Sequence, residues 1–318
     1  MTSISPISIH DFNDAKQRIS PFVSETPLIE IEALNTYFNA NIFLKCEQFH
    51  PIRAFKMRGA FNFLLKNKQT LAESGVITHS SGNHGQALAY ASFQLGIKCT
   101  VVVPQGAPQV KIEGMKRWNC NIVRCENNID ARESMCSEIQ EREGQTLVPP
   151  YDHLDIIEGQ GTAAMEIIKL QPGIEEIYCP LGGGGLLAGS LLAASHFSPE
   201  VSIYGCEPEM ARDGFLGFSS GQRNTSFKAD TCADGLRTTV GEINFPIIKS
   251  YARDILLCSE DSIMHWGSKM LKEYNLLIEP SSAVPLAILD TRRSEIAGKN
   301  IAVLISGGNV NPEYYSSN

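Results

Sequence analysis

The chain has 318 residues, of which 43% are hydrophobic, with a formal net charge of -8 and a pI near 5.4. This length suits two lobes with a cleft between them, and the acidic balance argues against a nucleic-acid partner, because phosphate backbones are bound through clustered positive charge. No stretch approaches the roughly 18 apolar residues of a membrane helix, no signal-peptide pattern begins the chain, and the nine scattered cysteines form no CxxC pair, so we expect a cytoplasmic protein with reduced thiols and no membrane partner.

Short β-branched runs alternate with helical stretches in the first half of the chain. The predicted strands are 76–79, 99–103, 121–124 and 146–148, and the helices between them are 83–96, 108–118 and 129–143. Because a parallel pair of strands needs a long crossover, helices between consecutive strands predict a parallel sheet.

A second set of elements follows in the same rhythm. It comprises helices 156–170 and 186–195 and strands 176–180, 201–206 and 301–305. The amino-terminal region has only this later part to pack against. We therefore predict an α/β protein with two open, mostly parallel sheets flanked by helices. The large domain is discontinuous (1–72 and 153–318), and the small domain (73–152) is inserted in it. Ligands of such sheets bind at the carboxyl ends of the strands.

A run of four glycines follows one predicted strand and precedes an apolar helix. The run is Gly182, Gly183, Gly184 and Gly185, with Leu186 next. Consecutive backbone N–H groups at the positive end of a helix dipole predict a phosphate site. The pattern Gly183-x-Gly185-x-x-Ala188, with Glu207 after the next strand, also fits a dinucleotide fingerprint. A nicotinamide oxidoreductase is therefore one alternative, and a tight turn without ligand is another.

Lys56 stands at the predicted start of a helix, beside the aromatic ring of Phe55. A lysine that forms a Schiff base needs partial desolvation to lower its pKa, and a helix amino terminus further disfavours the ammonium form. A dinucleotide enzyme has no use for such a lysine. The alternative is an ordinary surface lysine.

Two further segments follow predicted strands. Ser80-Ser81-Gly82-Asn83-His84-Gly85-Gln86-Ala87 starts a helix and would direct hydroxyls, an amide and backbone donors to one point. Ser306-Gly307-Gly308-Asn309 places a serine at a strand end, with glycines that let a ligand approach the backbone. Helix capping is the alternative for either serine of the first segment.

The motifs AFKMRGA, SSGNHGQA, GGGGLLAG, EPEMARD, ADGL and LISGGN occur in this order. Together they resemble the fold-type II pyridoxal-phosphate (PLP) enzymes of tryptophan synthase β-like fold, specifically the serine racemase and serine/threonine dehydratase family. The resemblance covers essentially the whole chain and implies a homodimer. It implies that Lys56 is the Schiff-base lysine. The further cofactor contacts it implies are Phe55, Asn83 at the 3'-oxygen, Gly182 to Leu186 at the phosphate, Gly235 against the ring and Ser306 at the pyridine nitrogen.

A serine at the ring nitrogen has a chemical consequence. Unlike a carboxylate, a hydroxyl leaves the nitrogen largely unprotonated, so the ring is a weaker electron sink. This favours β-elimination or quick reprotonation over transamination. For serine, threonine or 3-hydroxyaspartate, Lys56 would abstract the α-proton, the hydroxyl would leave as water, and a keto acid and ammonia would follow.

Ser81 distinguishes the two reactions of the family. Racemisation needs a proton donor on the face opposite Lys56, and the family's racemases carry a serine immediately before Gly-Asn-His, where threonine dehydratases commonly have alanine. A serine or aspartate racemase, with or without dehydratase activity, is therefore the alternative to a dehydratase. The substrate residues implied by the resemblance are Ser80, Asn83, His84, Arg132 and Thr238.

Glu207, Ala211 and Asp213 have the spacing of a structural divalent-cation site in related enzymes. Two carboxylates and a carbonyl suit Mg²⁺ or Ca²⁺, and a solvated acidic loop is the alternative. The chain departs from the family at Arg53-Ala54, where Gly-Ser is usual. The additional cation predicts a preference for a substrate with a second carboxylate, such as 3-hydroxyaspartate.

Overall fold

A computed structural model describes residues 6–80, 82–107 and 109–316. The strands are β1 Leu28–Glu30, β2 Asn41–Cys46, β3 Val76–Thr78, β4 Cys99–Pro104, β5 Asn121–Cys125, β6 Thr146–Leu147, β7 Glu176–Pro180, β8 Ser202–Pro208, β9 Asp254–Cys258 and β10 Asn300–Ile305. The helices are α1 Ile9–Ile19, α2 Glu32–Phe38, α3 Lys56–Lys66, α4 Lys68–Ser74, α5 Asn83–Leu95, α6 Gln109–Lys116, α7 Ile129–Glu143, α8 Leu154–Leu170, α9 Gly185–Phe197, α10 Asp213–Ser220, α11 Asn244–Tyr251, α12 Glu260–Tyr274, α13 Pro280–Thr291 and α14 Arg293–Ile296.

The strands form two separate sheets. The larger has the order β1-β2-β10-β7-β8-β9, with every pair parallel except β1 with β2. The smaller has the order β5-β4-β3-β6 and is parallel throughout. The predicted fold class, with two mostly parallel sheets flanked by helices, is confirmed.

The predicted helix 108–118 is shorter in the structure and ends at Lys116, because Asn119 takes a left-handed conformation with φ of 54°. Its predicted start at Pro108 lies outside the described residues.

The late strand β10 lies between β2 and β7 and joins the amino-terminal region to the rest of the larger sheet. Its side chains alternate between the two faces of that sheet. Ile301, Val303 and Ile305 belong to one buried cluster, and Ala302 and Leu304 belong to the other. Burial on both faces is the usual situation of a central parallel strand, and it places the end of β10 inside the protein.

Helices α3 and α8 pack so closely that their backbones nearly touch. A Cβ on Gly59 would lie 2.6 Å from the side-chain nitrogen of Gln160, and one on Gly159 would lie 2.7 Å from the carbonyl oxygen of Arg58. Only glycine fits at such contacts. The close approach fixes the position of α3, which begins at Lys56.

Candidate active site

The first turn of α3 is tied to the end of β10. The Phe55 N–H donates to the Ser306 carbonyl at 3.0 Å, and Ala54 pairs with Gly307 in a single antiparallel bridge. Arg53, just before them, has a φ of 55°, a left-handed conformation that glycine adopts more readily. These contacts bring Lys56 beside the Ser306 segment.

The Lys56 amine is half-buried and surrounded by apolar and carbonyl groups. Its Nζ donates to the Pro150 carbonyl at 2.7 Å and lies 5.0 Å from the centre of the Phe55 ring and 5.9 Å from that of Tyr151. Burial lowers the pKa of Lys56 to about 8, while the charge of Glu279 acts in the opposite direction. Near neutral pH a fraction of the amine is therefore uncharged, and this form can act as a nucleophile or base.

A buried network of charges anchors α3 two residues beyond Lys56. The Arg58 guanidinium is fully buried and binds Glu47 at 2.7 and 2.8 Å and Glu166 at 2.7 and 2.8 Å. Lys45 on β2 donates to the same Glu166 at 2.6 Å. Burial alone would raise the pKa of Glu166, but Arg58 and Lys45 lower it to about 2, so the carboxylate stays charged.

The tetraglycine turn connects β7 to α9. Gly184 has a φ of 91°, and a Cβ on Gly183 would lie 2.3 Å from the Tyr151 ring. The Gly183 carbonyl accepts the Gly241 N–H at 3.0 Å and the Asn244 side-chain amide at 2.7 Å. The close contacts leave room only for glycine in this turn, which precedes the amino terminus of the 13-residue α9, a position that favours anion binding.

Asn83 opens α5 with its side-chain amide held on both sides. Its Nδ2 donates to the Glu279 carboxylate at 3.0 and 3.1 Å, and its Oδ1 accepts from Asn309 at 2.8 Å. The neighbouring His84 is buried and donates from Nε2 to the Val148 carbonyl at 3.1 Å. Burial, with a smaller contribution from Lys56, lowers the pKa of His84 to about 3, so this imidazole is neutral.

The other predicted substrate and acid residues are Ser80, Ser81, Arg132 and Thr238. Ser80 precedes α5 and is half-buried, whereas Ser81 lies outside the described residues. Arg132 is on α7, which packs against the smaller sheet. Its Nε is buried and has no hydrogen-bond partner among the described residues. Thr238 is exposed, and its hydroxyl interacts with the Tyr151 side chain.

Three polar residues at the start of α13 were not predicted from sequence. The Glu279 N–H donates to the Gly307 carbonyl at 3.0 Å, and the Ser281 hydroxyl accepts the Gly235 N–H at 3.2 Å. Ser282 Oγ lies 3.0 Å from Ser306 Oγ. Pro280 at the first helical position is a helix-start signal that could have located this turn, but only the fold shows that it faces the Ser306 segment.

Glu207 and Asp213 form a buried acidic pair at the end of β8. The Glu207 carboxylate accepts the N–H groups of Gly214 at 3.0 Å and Phe215 at 2.8 Å, and Asp213 accepts that of Val240 at 2.8 Å. Burial, and then the charge of Asp213, raises the pKa of Glu207, while burial raises that of Asp213 to about 6. Two buried carboxylates that disfavour ionisation suit a bound cation.

No group of three or more His, Cys, Asp or Glu side chains that could hold a metal occurs among residues 6–80, 82–107 and 109–316. The predicted site would use two carboxylates and the carbonyl of the buried Ala211, with water completing the shell. Both Glu207 oxygens point at backbone N–H groups of α10, which argues against the ribose-binding role of the oxidoreductase alternative.

Arg53, expected from sequence to place a cation near the cleft, is exposed in the structure. It lines a separate cavity of about 370 Å³, and its Nη2 would lie 3.0 Å from a Cβ on Gly308. The other lining residues are Gln48, Phe49, His50, Asn275, Leu276 and Leu277. None of the predicted cofactor residues lines that cavity, and the preference for a second substrate carboxylate stays a prediction.

Comparison with known proteins identifies the family. The chain matches the family "Pyridoxal-phosphate dependent enzyme" over residues 19–307. The chain is a pyridoxal-phosphate-dependent enzyme. It is 36% identical to a serine racemase of Dictyostelium discoideum over 98% of this chain and 97% of that one. It is also 36% identical to a β-hydroxyaspartate dehydratase of Paracoccus denitrificans, covering 94% of this chain and 95% of that one.

The fold of this PLP-dependent enzyme agrees with the same assignment. A crystal structure of serine racemase from Dictyostelium discoideum superimposes with a TM-score of 0.91 and 36% identity, over 96% of this chain and 99% of that one. The architecture is that of fold-type II PLP enzymes, and the family assignment replaces the oxidoreductase alternative. Among the described residues, no helix has both the length and the apolar character needed to cross a membrane.

Proposed function

We propose that this enzyme removes water and ammonia from a β-hydroxy amino acid and releases a 2-keto acid. The observation that carries the proposal is the half-buried Lys56 amine, with a pKa near 8, at the edge where the glycine turn and the Ser306 segment meet. The relatives named β-hydroxyaspartate dehydratase and L-threo-3-hydroxyaspartate ammonia-lyase support this reaction class.

The residues present fit PLP. The glycine turn of residues 182–185, with Leu186, would hold the phosphate at the amino terminus of α9, and Lys56 would hold the cofactor covalently. The other contacts proposed are Phe55, Asn83, Gly235 and Ser306. When bound, PLP supplies an electron sink that acidifies the substrate's α-C–H bond.

Lys56 would take the α-proton. Its desolvated amine needs to lose only a weakly held proton before it can act as a base, and it lies beside the Phe55 and Tyr151 rings. His84 stays neutral and donates to the backbone, so it places no competing positive charge beside the amine. We therefore assign the acid–base role on the Lys56 side of the cofactor to Lys56 alone.

The substrate would be bound through its carboxylates. Ser80, Asn83 and His84 would receive the α-carboxylate at the amino terminus of α5, where backbone N–H groups of the first turn lack helical acceptors. The unpartnered buried Nε of Arg132 supports a second carboxylate on the substrate, as in 3-hydroxyaspartate. Thr238, beside Tyr151, would border the same space.

Racemisation of serine or aspartate is the second candidate function. Relatives named serine racemase, with 36% and 38% identity, favour it, and Ser81 would supply the proton donor opposite Lys56. We further propose that the enzyme is a cytoplasmic homodimer. In each subunit the small domain of residues 73–152 would be inserted between residues 1–72 and 153–318 of the large domain. A structural Mg²⁺ or Ca²⁺ would bind at Glu207, Ala211 and Asp213.

One assay tests both activities. The enzyme is incubated with L-serine, L-threonine or L-threo-3-hydroxyaspartate, and keto acid, ammonia and D-isomer are quantified together. We expect keto acid from at least one substrate, with the largest kcat/KM for hydroxyaspartate. Lys56→Ala should remove all turnover, because the base is lost, whereas Lys66→Ala, on the same helix but bound to Asp155 and Glu158, should retain it. Ser81→Ala should abolish D-isomer and spare elimination.

The proposal fails if no substrate releases keto acid or ammonia, or if Lys56→Ala remains active. A protein that binds PLP but turns over none of the three substrates would be a cofactor-holding sensor. Equal loss of D-isomer and keto acid in Ser81→Ala would reject a face-specific acid.

A further inference from the structure

Ser282, on the first turn of α13, is completely buried and makes three close polar contacts. Its Oγ accepts the Gly307 N–H at 2.8 Å, can donate to the Gly307 carbonyl at 2.8 Å and lies 3.0 Å from Ser306 Oγ, where either hydroxyl could be the donor. Ser306 is itself only 3% exposed. Ser282 is therefore the side chain that contacts the hydroxyl proposed to face the ring nitrogen of PLP.

A count of protons limits how these groups can be arranged. Ser282 has one hydroxyl proton and two acceptors within reach, the Gly307 carbonyl and Ser306 Oγ. The Gly307 carbonyl already accepts the Glu279 N–H at 3.0 Å, whereas Ser306 Oγ has no other hydrogen-bond donor among the described residues. If Ser282 donates to Ser306, the Gly307 carbonyl, Ser282 Oγ and Ser306 Oγ each accept one hydrogen bond. The hydroxyl proton of Ser306 then remains available for a ligand.

The opposite arrangement has a different chemical outcome. If Ser282 donates to the Gly307 carbonyl, the 3.0 Å contact between the two hydroxyls is a hydrogen bond only when Ser306 donates to Ser282, and Ser306 then presents only lone pairs to its ligand. A ring nitrogen facing those lone pairs would have to carry a proton. The direction of one hydroxyl pair therefore decides whether the nitrogen is an acceptor or a donor.

We propose that Ser282 is a positioning residue that donates to Ser306 and so directs the Ser306 hydroxyl proton at the ring nitrogen of PLP. The inference rests on the proposed cofactor site. A hydroxyl that accepts a hydrogen bond becomes a stronger donor, so the chain from the Gly307 N–H through Ser282 and Ser306 strengthens the last bond. The ring nitrogen then stays unprotonated, which favours elimination or reprotonation over transamination.

The test is the nitrogen-15 resonance of PLP labelled at its ring nitrogen and bound to the intact enzyme. We expect the wild-type resonance in the range of a hydrogen-bonded, unprotonated pyridine. In Ser282→Ala it should move downfield, because the hydrogen bond weakens, and PLP affinity should fall about 2- to 10-fold, the range for one hydrogen bond. Ser282→Cys, nearly isosteric but a poor donor, should change both measurements in the same direction.

Thr291→Val is the control, because it removes a hydroxyl at the other end of α13 that donates to the Ile288 carbonyl; its resonance should stay at the wild-type position. A wild-type resonance far upfield, in the pyridinium range, would overturn the inference, as would an unchanged resonance in both Ser282 variants. Failure of the wild type to retain labelled PLP would reject the proposed cofactor site itself.

Discussion

The charges of single residues affect the pKa of Lys56. Burial lowers the pKa of its amine, and the Glu279 carboxylate, 4% exposed, partly opposes that effect. The same carboxylate accepts from Asn83, so one buried acid influences both the proposed base and the proposed partner of the cofactor's 3'-oxygen. Without Glu279, burial would lower the pKa of Lys56 further, and a larger fraction of the amine would be neutral.

This balance predicts how PLP attachment depends on pH. Only the neutral Lys56 amine can attack the aldehyde, so the rate of attachment to the apo-enzyme should rise with pH, with a midpoint near 8. Because the Glu279 charge raises the pKa of Lys56, Glu279→Gln should move the midpoint to lower pH while keeping a hydrogen-bond acceptor for Asn83. Absorbance of the bound cofactor measures the rate.

Glu313→Gln, which removes an exposed carboxylate, should leave the midpoint unchanged. A midpoint that rises or stays constant in Glu279→Gln would contradict the electrostatic role of this residue.

What could be predicted from sequence differs among these residues. Lys56 has a local signal, an amine at a helix start beside an aromatic ring, but that signal left a surface lysine open, and the family resemblance supplied the Schiff-base role. The structure places Lys56 as the first residue of α3. Glu279 and Ser282 act through contacts with residues 83 and 306, far away in the chain. The charge of Arg53 is visible in sequence, whereas its left-handed backbone is seen only in the structure.

At the level of elements, alternating strands and helices predicted the smaller sheet and the centre of the larger one. Strand β2 was not predicted, and its sequence explains why: Lys45 is fully buried there through its bond to Glu166. A charged residue at a core position interrupts the apolar pattern on which such predictions depend. The partner that makes its burial possible lies on α8 and is not visible locally.

The anchoring of α3 on α8 predicts a large loss of stability in Arg58→Met. The substitution leaves Glu47 and Glu166 buried without their shared guanidinium, and breaking a buried ion pair typically costs about 3–5 kcal/mol. Denaturant unfolding measures the free energy. The control is Arg142→Met, whose side chain is 59% exposed, with an expected change below about 0.5 kcal/mol. A loss of similar size in both variants would show that the network does not stabilise α3.

On the scale of the whole molecule, the segment that crosses from the smaller to the larger sheet is bound to the active site. Pro150 accepts from Lys56, Tyr151 lies against Gly183, and the Asp152 carboxylate accepts the N–H groups of Glu242 and Ile243 at 2.8 and 2.9 Å. The backbone around residue 240 is also held by Asp213. The acidic pair, the crossing segment and the glycine turn thus form one connected unit.

This connection predicts that a divalent cation stabilises the entire fold. Mg²⁺ or Ca²⁺ at ten times its dissociation constant should add about 1.4 kcal/mol, which raises the unfolding temperature by roughly 2–4 °C, as measured by calorimetry. Asp213→Asn and Glu207→Gln should abolish this increment, since each removes a ligand charge. Glu209→Gln, an exposed acid next to the pair, should keep it. An unfolding temperature that responds to neither cation, or responds equally in all variants, would rule out a structural cation at Glu207 and Asp213.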